Sequence, residues 1–387
     1  LGISGNTNAC IEMATGDYIA LFDHDDILHP SVLYENMKAI CEQGADFIYT
    51  DELTFQGTTK NITVAHFKPD FAIDNLRANN YICHFTVFQK SLLEKVGLFR
   101  SECDGSQDFD MVLRLTEQAQ KIVHIPKPLY FWRSHAQSVA SSVGAKPYVI
   151  QAAKKAIGDH LKRVGLDGEA LDSVVPSMYR LKYEIKGEPL ISILIPNKDH
   201  VSDLRKCIVS SQEKTSYPNY EIIVIENNSD EEKTFQYYQL LEKRRNIRVV
   251  CWNGQFNYSA INNFGYTFAK GEYILLLNND TEVISADWLQ EMLMYAQRGD
   301  VGAVGAKLYY PDNTVQHGGV VLGVGGVAAH LHCNRQKEDP GYMGRLIYAQ
   351  DLTAVTAACM MLPRKVWEET GGLDESFEVA FNDVDLC

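Results

Sequence analysis

The stretch Gly16-Asp17-Tyr18-Ile19-Ala20-Leu21-Phe22-Asp23-His24-Asp25-Asp26 is a nearly continuous apolar run that stops at a cluster of acids. Such a run is a buried strand emptying into an acidic turn. The device returns at Gly271-Glu272-Tyr273-Ile274-Leu275-Leu276-Leu277-Asn278-Asn279-Asp280. Asn8, Ala14, Gly16, Tyr18 and Asp25 pair with Asn263, Ala269, Gly271, Tyr273 and Asp280, each 255 positions on, so one design is carried twice. Carboxylates at the carboxyl end of a parallel strand lie where open α/β sheets bind ligands. Hard oxygen donors there suit magnesium or manganese bridging phosphates.

A second set of matches extends the repeat. Gly97, Asp108 and Asp110 pair with Gly372, Asp383 and Asp385 at an offset of 275. The second copy thus carries about 20 extra residues, placed most economically in the glycine- and histidine-rich stretch 312–332. Ahead of its acidic turn the second copy also has strands Ile191-Ser192-Ile193-Leu194-Ile195, running into Pro196-Asn197-Lys198-Asp199, and Glu221-Ile222-Ile223-Val224-Ile225, running into Glu226-Asn227-Asn228-Ser229-Asp230. Strand alternating with helix makes a doubly wound, mostly parallel sheet with polar groups along its carboxyl edge. The first copy has no counterpart of these strands. The chain reads as a fragment open at both ends, with roughly 65 residues absent at its front.

Between the copies, residues 139–188 are expected to form a structured connector. Pro147 to Arg163 reads as a helix ended by Gly165, and Met178 to Ile185 alternates as a strand. The domains expected are therefore 1–138, 139–188 and 189–387. Pro30 and Ser31 open a helix whose stripe is Leu33, Met37, Ile40 and Cys41. Residues 52–90 are irregular, with Asn79-Asn80-Tyr81 and His84 among aromatics, as in a substrate-facing excursion from a sheet.

At 387 residues and 45% hydrophobic content the chain has material for two cores. A net charge of −14 argues against a nonspecific nucleic-acid binder. An anionic ligand would have to be met by local devices such as a metal or helix amino termini. No apolar run reaches the ~18 residues of a membrane span. Nine scattered cysteines without a C-x-x-C pair fit reduced thiols in the cytoplasm. His317, His330, His332 and Cys333 lack the spacing of a zinc site, and Asp23 to Asp26 lacks the glycine and distal glutamate of a calcium loop.

With these residues in place the chain resembles the family 2 glycosyltransferases of the GT-A fold, and among them bacterial tandem-domain enzymes that build cell-surface polysaccharides. The carriers are the strand ends at 191–199 and 221–230, Asp23-His24-Asp25 and Asn278-Asn279-Asp280 as the D-x-D, and Gln107-Asp108 and Asn382-Asp383 as the E-D pair. The resemblance implies two GT-A domains, the first lacking its amino-terminal strands and the second its carboxyl-terminal end. It implies nucleotide-sugar contacts from Asp23, Pro196, Asn197, Asp199, Glu226, Asn228, Asn263 and Asn278. Asp25, Asp280 and His135 become ligands of Mn2+ or Mg2+, and Asp108 and Asp383 become catalytic bases of an inverting transfer. A UDP- or dTDP-sugar would be the donor and a glycan or lipid-linked hydroxyl the acceptor, at the inner face of the cell membrane. In chemical terms the metal stabilises the departing diphosphate and a carboxylate takes the proton of the attacking hydroxyl.

Three departures stand out. Asn278 replaces the first acid of the second D-x-D, Glu226-Asn227 stands where paired Asp is common, and the second domain ends before any equivalent of His135. They motivate a second reading, in which the second domain is a catalytically silent glycan-binding or scaffolding module. A sugar nucleotidyltransferase is disfavoured because Pro196-Asn197-Lys198-Asp199 is no glycine-rich, basic triphosphate loop.

Overall fold

Residues 1–134 and 147–387 are described by a computed structural model of the protein. Its chain divides into two compact units: Leu1–Tyr183 with Pro340–Asp351, and Glu184–Asp339 with Leu352–Cys387. The boundary at 183/184 falls inside the expected connector, leaving 184–188 with the second unit, and a stretch of the second sequence half joins the first unit.

Unit 1 contains, in order, α1 (Gly2–Met13), β1 (Tyr18–Leu21), β2 (Ile27–Leu28), α2 (Val32–Gln43), β3 (Phe47–Phe55), β4 (Ile62–His66) and α3 (Ile73–Ala78). There follow β5 (Thr86–Gln89), α4 (Leu92–Val96), α5 (Gln107–Gln118), β6 (Ile122–Arg133), α6 (Pro147–Arg163), β7 (Gly168–Asp172) and β8 (Tyr179–Tyr183). The sheet order is β1-β5-β3-β6-β2, with β4 also on β3. Gly44 ends α2 at φ 67°, a left-handed conformation that only glycine adopts without strain. The stripe expected on α2 is out of phase. Val32, Asn36 and Ala39 are buried while Leu33, Met37 and Cys41 are exposed, because the face that meets β6 begins one residue earlier. Helix α6 packs on α5, where His160 is paired with Glu117 at 2.7 Å and Ser106 Oγ donates to Val149 O at 2.9 Å.

Unit 2 contains β9 (Ile191–Asn197), α7 (Val201–Lys214), β10 (Tyr220–Glu226), α8 (Glu232–Leu241), β11 (Ile247–Cys251), α9 (Tyr258–Tyr266), β12 (Tyr273–Leu277) and α10 (Trp288–Ala296). Short strands β13 (Val304–Gly305), β14 (Leu308–Tyr309), β15 (Val315–His317), β16 (Val320–Leu322) and β17 (Ala328–His330) precede β18 (Cys359–Pro363), α11 (Arg364–Thr370) and α12 (Asn382–Leu386). The sheet order is β11-β10-β9-β12-β18-β13; β11, β10, β9 and β12 run parallel and β18 antiparallel to β12. Ile193, Ile195, Val224, Leu275 and Leu277 pack on one face, and Leu194, Ile223, Ile225, Ile274 and Leu276 on the other. Burial on both faces explains the unbroken apolar runs, each such side chain contributing about 1.5–3 kcal/mol.

The two units share a pairing register. Tyr18 lies opposite Gln89 and Ile19 opposite Phe88, as Tyr273 lies opposite Pro363 and Ile274 opposite Leu362. Beyond them Ile48 faces Val87 as Val304 faces Met361. Asn8 closes a bidentate clasp on the backbone of Phe99 (2.9 and 2.8 Å), and Asn263 does so on Leu373 (2.8 and 3.0 Å).

Candidate active site

At the carboxyl edge of the unit 2 sheet, the ends of β9, β10 and β12 are tied together by side chains. Asn197 Nδ2 donates to Asp199 O at 3.0 Å and to Tyr238 Oη at 2.7 Å, and Tyr238 donates in turn to Glu226 Oε2. Glu226 is buried and also accepts from Ser229 N and, at 2.6 Å, from Ser229 Oγ. Its carboxylate is thus engaged by its own loop and by Tyr238 of α8. Asp199 accepts from the N–H groups of Asp230 and Glu231 and from Thr234 Oγ1. Slight burial opposes these bonds, yet they hold its carboxyl below the usual range. Asn228 stands at φ 53° with Nδ2 on Gly254 O at 2.7 Å. Pro196 lies within β9 opposite Ile225. Of the residues tied to a nucleotide by resemblance, Asn197, Asp199, Glu226 and Asn228 shape this edge, whereas the amide of Asn263 is occupied by its clasp on Leu373 and by Glu375.

The acidic turn lies one strand over. Asn278 N donates to Ala358 O at 3.0 Å, and the neighbouring Ala357 N donates to Asp383 Oδ2 at 3.0 Å. Backbone at Ala357 and Ala358 therefore joins the turn after β12 to the carboxylate that opens α12. Asp383 Oδ1 also accepts from Val384 N at 2.9 Å. Asp385, the repeat partner of Asp110, is exposed and its carboxylate bonds to no described residue.

In unit 1 the corresponding acids meet a cluster that sequence alone did not assign. His84 Nε2 lies 3.7 Å from Asp23 Oδ2, and its Nδ1 lies 3.4 Å from Glu52 Oε2. Glu52 is buried with Lys68 Nζ at 3.1 Å and His66 Nδ1 at 3.2 Å. Burial pushes the Glu52 carboxyl up, but Lys68 and the two histidines outweigh it and hold it well below the carboxylate range. Burial likewise pulls His84 down, and Glu52 leaves it above its ordinary value. Asn80 Nδ2 donates to Asp108 Oδ2 at 3.1 Å. Burial raises the Asp108 carboxyl, against the N–H of Phe109 and the charge of His84, which lower it. The only sequence signal for this set is the Asn-Asn-Tyr and His among aromatics near 80. Asp110 is structural: fully buried, it is paired with Arg100 and with Arg114 at 2.7 Å. Asp26 is likewise an anchor, accepting from Tyr130 and from Arg133 N at 2.7 Å.

Among the described residues no three His, Cys, Asp or Glu side chains are disposed to hold a metal ion by themselves, and His135 lies outside them. Asp280 is exposed at its turn and bonds to no described residue. A single hard carboxylate at a strand end fits a cation held by one or two protein oxygens and completed by substrate phosphates. Asp25 stands at the equivalent turn with its carboxylate 40% exposed. His317 and His330, 2.9 Å apart through their Nδ1 atoms, form a pair without a third ligand among the described residues.

The profile of glycosyl transferase family 2 matches residues 1–97 and 192–371. The chain belongs to this family of glycosyltransferases. It is 45% identical over its whole length to the uncharacterized protein y4gI of Sinorhizobium fredii (strain NBRC 101917 / NGR234), of which it spans 43%. It is 39% identical over 98% of its length to the O-antigen biosynthesis protein RfbC of Myxococcus xanthus, of which it spans 30%. Among solved structures, the mannosyltransferase PcManGT from Pyrobaculum calidifontis in complex with GDP-Man and Mn2+ aligns at 13% identity and a TM-score of 0.38. That alignment covers 52% of this chain and 51% of that one, too slight a likeness to define a fold. No described helix is long and apolar enough to cross a membrane.

Proposed function

We propose that the chain transfers a sugar, with inversion, from a nucleotide-sugar donor to a hydroxyl of a growing surface polysaccharide or lipid-linked glycan. Its two copies are glycosyltransferase domains in tandem, 1–138 and 189–387, of which the second carries the complete donor site. The observation that carries this reading is the backbone link at Ala357 and Ala358, which sets Asp383 beside the turn that ends in Asp280. The donor diphosphate would lie at Asp280 with Mn2+ or Mg2+, the cation supplying stabilisation of the leaving charge. The edge formed by Asn197, Asp199 and Glu226 shapes the nucleoside side. Asp383 takes the proton of the acceptor hydroxyl, its carboxylate oriented by the Ala357 and Val384 N–H groups. Donors carrying UDP or dTDP, and action at the inner face of the membrane, come from the family resemblance.

The test is product analysis of the protein with a panel of nucleotide sugars and an acceptor glycan extract, comparing the parent with Asp383→Asn. The variant should keep donor affinity and lose transfer by the second domain, since an amide cannot accept the proton. Transfer near the parent rate, or lost donor binding, would withdraw the assignment.

A further inference from the structure

Asn279, the middle residue of the turn after β12, donates Nδ2 to Asn197 Oδ1 at 2.7 Å. Asn197 is buried at the end of β9, with its own Nδ2 spent on Tyr238 and Asp199 O, so its Oδ1 is the acceptor left for Asn279. Through Tyr238 the line continues to Glu226 at the end of β10. The turn itself is closed by Thr281 N on Asn278 O at 3.2 Å, which leaves residues 279 and 280 on one short arc. Fixing the side chain of the first therefore fixes the backbone that carries the second. In unit 1 the middle residue is His24, its side chain 98% exposed, because β1 has no parallel strand beside it to reach.

We propose that Asn279 is a positioning residue: it locks the turn carrying Asp280 to the nucleoside edge, so that the cation and the nucleoside diphosphate bind cooperatively. The inference rests on the reading of this edge as a donor site. Partners behind a metal ligand hold it at the geometry the ion requires, and their loss costs about 10–100-fold in metal affinity. A turn whose carboxylate is already placed pays no ordering cost when the diphosphate brings its cation.

Calorimetric titration of the full chain with UDP and with GDP, each with Mn2+ and with EDTA, tests this. Variants Asn279→Ala and Asn279→Leu both remove the donor, the second at similar size. Each should keep the EDTA affinity within about twofold and lose roughly tenfold of the gain that Mn2+ confers. A merely structural role would weaken both states alike. Asn197→Ala combined with Asn279→Ala should lose no more of the Mn2+ gain than Asn279→Ala alone. If the parent shows a Mn2+ gain and both Asn279 variants retain it, the positioning role is overturned while the donor site stands. If the parent binds neither nucleotide in either state, the donor-site reading falls and this inference with it.

Discussion

Strands β1 and β12 open on the same Gly-x-Tyr and end at matching acids, Asp25 and Asp280, yet their surroundings differ. β12 lies between β9 and β18, while β1 has β5 alone among the described strands. The difference is visible at a single atom. A Cβ on Gly271 would meet Leu190 O and Ser192 N, both at 2.6 Å, whereas one on Gly16 would meet nothing nearer than Tyr18 O at 3.4 Å. One glycine is demanded by the neighbouring strand; the other keeps the residue without the neighbour. The acids after the strands follow suit. Around Asp280 the turn is fastened to β9 through Asn279, and around Asp23 it meets the buried cluster of His84, Glu52 and Lys68. What a strand end can bind is therefore set as much by the strand beside it as by its own residues.

The comparison is most easily broken at the acids two residues after the candidate bases. Asp110→Ala leaves Arg100 and Arg114 without their buried partner and should cost unit 1 about 3–5 kcal/mol. Asp385→Ala, at an exposed position, should change stability by less than about 0.5 kcal/mol. Hydrogen exchange of residues 107–118 against urea reads the first effect, and exchange of the β9 to β12 strands the second. Equal effects would mean that the two helix starts are built alike.

The glycines give the next contrast. Gly271→Ala forces a methyl into backbone atoms of β9 and should cost about 1–3 kcal/mol, while Gly16→Ala should be neutral within about 0.5 kcal/mol. Thermal unfolding of the two variants decides it, and a costly Gly16→Ala would place an unseen neighbour beside β1.

A smaller effect concerns pH. Burial raises the Asp108 carboxyl, so the native state favours its protonated form. That contribution to stability is present at pH values below the unfolded-state pKa and is lost as pH rises through the folded-state value. Asp108→Asn removes the titration and should make unit 1 more resistant to unfolding at pH 7 than the parent, with the advantage shrinking toward pH 3. An advantage that grows on acidification would contradict the burial of this group.

Much of this was legible in the chain because it is written in short-range pattern. Apolar runs ending in acids located β1 and β12, Gly44 and Gly165 ended α2 and α6, and the offset of 255 matched Tyr18 to Tyr273, which the sheets place in equivalent registers. Contacts between distant residues were not legible. Nothing local ties Lys68 to Glu52 and the carbonyls of Ile82 and His84, or assigns Pro340–Asp351 to the first unit, where Asp351 accepts from Asp74 N at 3.0 Å. The shared Asn8 and Asn263 show a tertiary role that the repeat alone did not reveal. The resemblance implies a nucleotide contact for Asn263, and the structure gives its amide a backbone clasp, a need both copies share whether or not they bind anything. On α2 an apolar count could not say which face meets β6.

The central claim is that one of the two acidic turns, the one fastened to parallel strands, forms a complete donor site. Calorimetric titration of the full chain with UDP and Mn2+, repeated with Asp280→Ala and with Asp25→Ala, tests it most directly. The account predicts one site per chain, abolished by Asp280→Ala and untouched by Asp25→Ala. Two sites, or a single site lost with Asp25→Ala and kept with Asp280→Ala, would contradict it.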